Sequence, residues 1–372
     1  MSFTLMHLAD IHLGAPFPGL GDKAEQRKED LLDTFGRALE TASVPDLRVD
    51  LVIIAGDLFD SLHPDRELVA NVKRQVSELG RNGIPVLIVP GTHDSACNPD
   101  SVFRKESFPG ATVVLHSTVD RPLRFVSSDG TPAWVYVELA ENDRKPFADF
   151  RPNQEEGVHI GVLHGSVIER EGLSMRDADN PVTLDDLHKT SLDYIALGHY
   201  HNFRDYGVSH PTVVYPGTLE GRKFGENGER YLVTVEFDGG EGKVSQTFFN
   251  RRSYEEREIN LSNFPELSEE GLAQLISEKA SSEILLRCTL TGGTSFKIDA
   301  ESLTDRIKDS FFHVEIVDDT HRFTWEDIEA MGREPGVRGL FVRKMRERIE
   351  KVSEDEKKSL VAALNLGLER MS

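Results

Sequence analysis

Residues 86–97 read VLIVPGTHDSAC. A short apolar run ends at Pro90-Gly91 and then delivers Thr92, His93 and Asp94 in succession. A buried strand has no structural need for a titratable pair at its tip, so the stretch reads as a strand that carries chemistry where it leaves the core. Two strands of the same kind precede it, FTLMHLAD at 3–10 and DLVIIAGD at 50–57. Between them, residues 22–43 place Leu31, Leu32, Phe35 and Leu39 at helical spacing, and residues 65–82 do the same with Leu68, Val72, Val76 and Leu79. The order βαβαβ predicts parallel strands with helical cover and ligand chemistry at the carboxyl ends of the strands.

Beyond residue 110 the texture changes to short strands: ATVVLH, LRFV, AWVYVEL, VHIGVLHG, DYIALGHY, TVVYPG, RYLVTVEF and KVSQTFF. Turn signals such as Ser-Asp-Gly and Asp-Gly-Gly separate them, which predicts a largely antiparallel continuation. The expected fold class is α/β (α+β), with two sheets packed face to face and helices outside. From residue 251 a third texture, strand, helix, strand, helix and strand, predicts a small α+β unit to about 330. A Gly/Pro-bearing link over Met331–Gly339 and a pair of helices follow, the second opened by a Ser353/Glu356 capping box. The sequence therefore divides into 1–250, 251–330 and 331–372. The GGTS stretch at 292–295 reads as a hairpin turn rather than a phosphate loop.

Composition narrows the class. A chain of 372 residues with 38% hydrophobic and 29% charged side chains is ordinary for a soluble protein. No stretch has the roughly 20 consecutive apolar residues of a membrane span, and the first residues show neither a basic leader nor a cleavage site, so a cytoplasmic location is expected. The only two cysteines, Cys97 and Cys288, have no metal-type spacing and fit a reducing compartment. The net charge is −21, with 24 Lys and Arg against 39 Asp and Glu in residues 1–250 and 19 against 25 in the remainder. Such a surface does not bind polyanions by itself, and a polyanionic substrate would need bound cations, a partner or a dimer groove to concentrate positive charge.

Five segments end an apolar strand in Asp or His: LADIHLG (Asp10, His12), IIAGDLFD (Asp57, Asp60), VPGTHD (His93, Asp94), GVLHGS (His164) and ALGHYHN (His199, His201). Any one of them is compatible with a turn residue. Together they form a mixed imidazole and carboxylate set. In Asp10-x-His12 and His199-x-His201 the two-residue period of extended chain points both side chains to one side. Such donors suit Mn²⁺, Fe²⁺ or Zn²⁺ better than Ca²⁺ or Mg²⁺ alone. Six strong ligands (Asp10, His12, Asp57, His164, His199 and His201) exceed what one open catalytic ion uses, which predicts a two-metal centre of the kind that cleaves phosphoesters, with Asp57 as the candidate bridge.

In order and spacing, Asp10-x-His12, Gly56-Asp57-x-x-Asp60, Gly91-Thr92-His93-Asp94, His164 and Gly198-His199-x-His201 resemble the five motifs of the calcineurin-like metallophosphoesterases. HLADIHLG, AGDLFDSLHPD and VVYPGTLEGRKFGENGERYLV are similar to the SbcD and YhaO type of DNA repair exonuclease. The resemblance implies a four-layer αββα sandwich, a small capping domain and C-terminal helices that dock on the coiled coil of an ABC-type ATPase. It implies two divalent ions, Mn²⁺ first and Fe²⁺, Zn²⁺ or Mg²⁺ as alternatives. Asp10, His12, Asp57 and His201 would hold one, and Asp57, His164 and His199 the other. His93 would stabilise the transition state or protonate the leaving oxygen, with Asp94 orienting its ring, and water activated at the ions would attack. Thr92 departs from the pattern, which has an Asn metal ligand there, and a threonine hydroxyl is a poorer donor.

Three readings follow. The first is a metal-dependent DNA exonuclease or endonuclease of DNA repair. The second is a phosphodiesterase for small substrates, which the acidic charge favours. The third is a DNA-binding scaffold subunit with weakened catalysis, which Thr92 favours.

Overall fold

The computed structural model describes residues 2–139, 147, 150–168, 179–207, 210–239, 242–294, 296–321, 323 and 325–371. The chain divides into two compact units, Met1–Arg251 and Arg252–Ser372.

The first unit opens with β1 (Ser2–Leu8), α1 (Ala24–Ala42), β2 (Leu51–Ala55), α2 (Arg66–Arg81), β3 (Val86–Val89), the short α3 (Val102–Lys105) and β4 (Ala111–Val113). The four strands pair in parallel in that order, as the alternation predicts. All five residues of β2 are buried. A strand covered on both faces has no polar alternation to show, and hence reads as a continuous apolar run. The Asp65 carboxylate starts α2 by accepting from the Glu67 and Leu68 amides at 2.7 and 3.4 Å, and Val69, Val72, Val76 and Leu79 form its buried face.

Next come β5 (Leu123–Val126), β6 (Pro132–Glu138), β7 (Val158–His164), β8 (Val167–Ile168), β9 (Val182–Thr183), α4 (Leu184–His188), β10 (Tyr194–Gly198), β11 (Arg204–Asp205) and β12 (Thr212–Tyr215). Here the antiparallel expectation fails. β6, β7, β10 and β12 are parallel to their neighbours, and only the edge strands β5 and β11 run antiparallel. Long connections separate β6, β7 and β10, long enough for crossovers, and these central strands are nearly as buried as β2. β13 (Tyr231–Asp238) and β14 (Gly242–Phe248) form a hairpin that returns to the edge of the first sheet, β13 lying antiparallel to β1.

The result is two six-stranded mixed sheets flanked by helices. The core lies between them, where Leu5, Leu51, Ile53 and Val235 of one sheet meet Val135, Ile160, Val162 and Ala196 of the other. On the outer face of the second sheet, Leu163, Ile195 and Tyr215 pack with Leu187 of α4. Both sheets send the carboxyl ends of their parallel strands toward one site.

The second unit contains β15 (Ser253–Asn260), α5 (Glu269–Ser277), β16 (Ile284–Gly293), α6 (Ala300–Ile307), β17 (His313–His321), α7 (Trp325–Gly332), α8 (Val337–Ile349) and α9 (Glu354–Met371). Its three strands are all parallel. Gly292 and Gly293 therefore end a strand and pair with Thr320 and His321, so they are not the hairpin turn expected of GGTS, whose Ser295 lies outside the described residues. The two helices expected after the link are α8 and α9, while α7, which the sequence does not announce, covers the end of the preceding segment and shortens the expected link over 331–339 to the few residues between α7 and α8. Ile328 of α7 is buried with Val342, Ile349, Leu364 and Leu368, a burial that one apolar residue per turn in a short segment does not announce. The Ser353 hydroxyl approaches the Glu356 carboxylate at 3.4 Å where α9 begins. Among the described residues, no helix is long and apolar enough to cross a membrane.

Candidate metal centre

The candidate residues leave β1, β2, β3, β7 and β10 within a few positions of each strand's end. For Asp10-x-His12 the extended geometry expected from the sequence does not occur. Asp10, His12 and Asp57 have φ of 54°, 50° and 50°, and His199 has 109°. Left-handed backbone at non-glycine residues is uncommon and is held only where the surroundings over-determine it. Here the Asp10 amide bonds the Gly56 carbonyl at 3.0 Å and the His12 amide bonds the Asp57 carbonyl at 2.9 Å. These bonds lock the two strand exits together.

Two glycines let the sheets approach. A Cβ on Gly198 would stand 1.8 Å from the Ala55 carbonyl oxygen, and one on Gly56 (φ 97°) would stand 1.9 Å from His164 Nδ1. The residue before Asp57 and the residue before His199 must therefore lack a side chain.

Three groups of donors converge: Asp10, His12 and His201; Asp10, Asp57 and His164; and His12, Asp60 and His93. Asp57 Oδ2 lies 3.7 Å from His12 Nε2 and 3.4 Å from His164 Nε2, so one carboxylate oxygen adjoins two of the groups. Both oxygens of Asp10 accept the His199 amide, at 3.0 and 2.9 Å. The His199 ring stacks edge-on against that of His164, with centroids 5.5 Å apart, although His199 belongs to none of the three groups among the described residues. Thr92 Oγ1 is 3.4 Å from Asp57 Oδ2.

Burial pushes the Asp10 carboxyl up and the His12 imidazole down to about 4. Burial also opposes charge on Asp57 and His164, but their mutual attraction prevails. His164 is raised to about 9 with further help from Asp10, while Asp57 is held below the usual carboxylate range.

The tautomers are legible too. His12 Nδ1 faces Asp60 Oδ1 at 3.0 Å, and His201 Nδ1 faces Glu226 Oε1 at 2.8 Å. Both are protonated on Nδ1 if they donate to those carboxylates, which leaves the two Nε2 lone pairs facing each other at 3.2 Å. Facing lone pairs repel unless a cation or a shared proton lies near them. Nδ1–carboxylate bonds behind imidazoles are the usual way a protein fixes metal-ligating histidines. The donor set therefore fits divalent cations.

Asp94 corrects an expectation. It does not orient the His93 ring. Its oxygens accept the Phe59 amide at 3.0 Å and the Gly91 amide at 2.7 Å, so this fully buried carboxylate ties the β2 and β3 exits together. Burial, reinforced by the nearby Asp57 charge, raises it to about 7. The acid beside His93 is Asp60, whose carbonyl is 3.2 Å and whose Oδ1 is 3.6 Å from His93 Nδ1. The His93 side chain is 45% exposed, while its amide is fixed on Asp57 Oδ1 at 2.8 Å. Glu226 and Arg222 were not singled out from the sequence. They lie in a Gly-rich loop with no strand or helix pattern, and only their contacts across the fold disclose them.

Two face-to-face sheets whose strand exits gather Asp and His into groups of cation-fitting donors suit a metallophosphoesterase. A family model described as calcineurin-like phosphoesterase matches residues 3–211, and the chain belongs to that family. It is 32% identical over 243 residues to a protein of Bacillus subtilis described as an uncharacterized metallophosphoesterase, YhaO, a match covering 62% of this chain and 57% of that protein. It is 28% identical over 274 residues to the DNA double-strand break repair protein Mre11 of Methanopyrus kandleri, covering 66% and 56%. It is 30% identical over 231 residues to that of Aeropyrum pernix, covering 60% and 54%. The chain thus spans little more than half the length of these relatives.

Proposed function

We propose that the chain is a divalent-metal-dependent DNA nuclease of DNA repair that hydrolyses phosphodiester bonds. The observation that carries this reading is the pair of carboxylate-backed imidazoles, His12 and His201, converging beside the buried carboxylates Asp10 and Asp57. In this reading Asp10, His12, Asp57 and His201 hold one ion, Asp57, His164 and His199 hold the other, and Thr92 stands beside the second. Mn²⁺ is the first choice of ion, since imidazole and carboxylate together suit it. Ions in such a centre supply charge neutralisation and a more acidic water.

The chain's own side chains do the rest. His93, exposed at the mouth and anchored through its amide, is the group placed to stabilise the departing oxygen or give it a proton. Asp94 keeps the loop carrying His93 in register with the β2 exit. The segment 251–330 serves as the capping domain. The segment 331–372 serves as the docking element for a coiled-coil ABC-type ATPase, and its residues 338–351 hold six basic against two acidic side chains. A chain of net charge −21 that acts on DNA borrows cationic surface from such a partner or from a second copy of itself.

The test is incubation of labelled duplex and single-stranded DNA with the protein and Mn²⁺, beside a His93→Ala control. Cleavage lost in the control supports the reading, and equal cleavage overturns the role of His93. Co-purification of an ATPase tests the partner. The net charge favours a second reading, a phosphodiesterase for small substrates. Turnover of a chromogenic diester far faster than of DNA would select it.

A further inference from the structure

The carboxylates behind the two facing imidazoles come from different places. Asp60 follows β2, and Glu226 lies in the loop after β12. One residue joins them. The Arg222 amide donates to Glu226 Oε2 at 2.8 Å, and the Arg222 guanidinium donates through Nη2 to Asp60 Oδ1 at 2.7 Å. The Asp60 oxygen that receives this bond also faces His12 Nδ1 at 3.0 Å and lies 3.6 Å from His93 Nδ1. The Glu226 carboxylate bonded to the Arg222 amide is the one on His201 Nδ1.

The loop that carries Arg222 is itself anchored. Glu220 is buried, pairs with Arg27 of α1 at 2.8 Å and accepts the Thr34 hydroxyl at 2.8 Å. The Gly221 carbonyl accepts from Arg27 at 2.6 Å. At the loop's start, the Thr218 amide bonds the His201 carbonyl at 3.0 Å, and that carbonyl also accepts from Arg230 at 2.7 Å. The segment 218–226 is thus held to α1 at one point and to the His201 strand exit at another. Arg222 stands between, with a side chain only 19% exposed.

We propose that Arg222 is the positioning residue of the centre, its guanidinium holding Asp60 so that His12 keeps its proton on Nδ1 and offers Nε2 to the ion. The inference rests on the metal-centre reading above. A carboxylate left without Arg222 is free to rotate away from His12 toward water, and the imidazole then distributes its proton between both nitrogens. His201 serves as an internal control. Its carboxylate is held by the Arg222 backbone amide, which any non-proline substitution retains.

The experiment uses the full chain with ¹⁵N-labelled histidine. Long-range ¹⁵N–¹H correlation spectra of the metal-free protein report the tautomers of His12 and His201, and calorimetry reports Mn²⁺ affinity without substrate. Arg222→Gln is expected to scramble the His12 tautomer, to leave that of His201 unchanged, and to lower the affinity of one Mn²⁺ by about tenfold. Arg222→Lys keeps the positive charge at Asp60 and is expected to keep the tautomer and an affinity within about threefold of the parent. A His12 tautomer and Mn²⁺ affinity unchanged in Arg222→Gln would overturn the proposal, as would an equal loss in Arg222→Lys. If the parent protein binds no Mn²⁺ the metal-centre reading fails, while the tautomer spectra still decide whether Arg222 positions His12.

Discussion

The Nε2 atoms of His12 and His201, 189 positions apart in the chain, face each other at 3.2 Å, each with a carboxylate behind it. The pair brings a residue beyond β1 of the first sheet against one beyond β10 of the second. The carboxylate behind His201 gives the first prediction. Glu226→Ala removes the acceptor of Nδ1 and frees the ring, and Mn²⁺ affinity is expected to fall by about 10- to 100-fold. Isothermal titration of parent and variant checks it, and equal affinities would show that Glu226 does not orient the ligand.

Gly198 gives the second. A methyl group there would meet the Ala55 backbone carbonyl at 1.8 Å, and a backbone atom at the end of the fully buried β2 has little room to retreat. Gly198→Ala is expected to lose more than about 3 kcal/mol of folding stability, at the upper end of ordinary overpacking. Urea unfolding followed by circular dichroism measures the change. A loss under about 1 kcal/mol would mean that the sheets separate more readily than their packing implies.

The third concerns Thr92. Its hydroxyl is 3.4 Å from Asp57 Oδ2 and is a weak donor to a hard cation. Thr92→Asn supplies an amide oxygen at that position, and the weaker of two Mn²⁺ equivalents is expected to bind several-fold more tightly, roughly 1 kcal/mol. Unchanged affinity for both equivalents would show that water or another side chain already fills that role.

The fourth concerns the thiols. Cys97 is exposed, whereas Cys288 is fully buried and burial raises it to about 11. At pH 8 a thiol reagent is expected to label one cysteine of the native protein and two after denaturation. A folded pKa above the unfolded one means that the native state binds more protons between the two values. The Cys288 contribution to stability is therefore complete below about pH 9 and declines as pH rises toward 11. Cys288→Ala should flatten the loss of thermal stability over that window. Rapid labelling of both thiols in native protein would contradict the burial.

The segments that end a strand in Asp or His were legible because each combines an apolar run with an abrupt polar residue, and both halves of that signal are local. Their backbone was not. Extended geometry at Asp10 and His12 was the natural inference from a two-residue spacing, yet the left-handed turns come from hydrogen bonds to the β2 exit more than forty positions away. Asp94 misled for a related reason. Adjacency in sequence made it the partner of His93, whereas successive side chains after a strand diverge, and the acid beside the His93 ring belongs to the β2 loop. The parallel pairing of β6, β7, β10 and β12 was obscured because short apolar strands look alike in either direction, and only the length of their connections carries the difference. Arg222 and Asp60 are 162 positions apart, and no periodicity joins them.

The left-handed residues of the centre set folding stability against cation binding. Asp10, His12 and Asp57 each hold a conformation that costs about 1 kcal/mol or more in a residue other than glycine, and all three side chains are buried as well. Substitutions that relax this backbone are therefore expected to raise folding stability, so a screen for stability alone would remove these residues first and take the cation-binding donors with them.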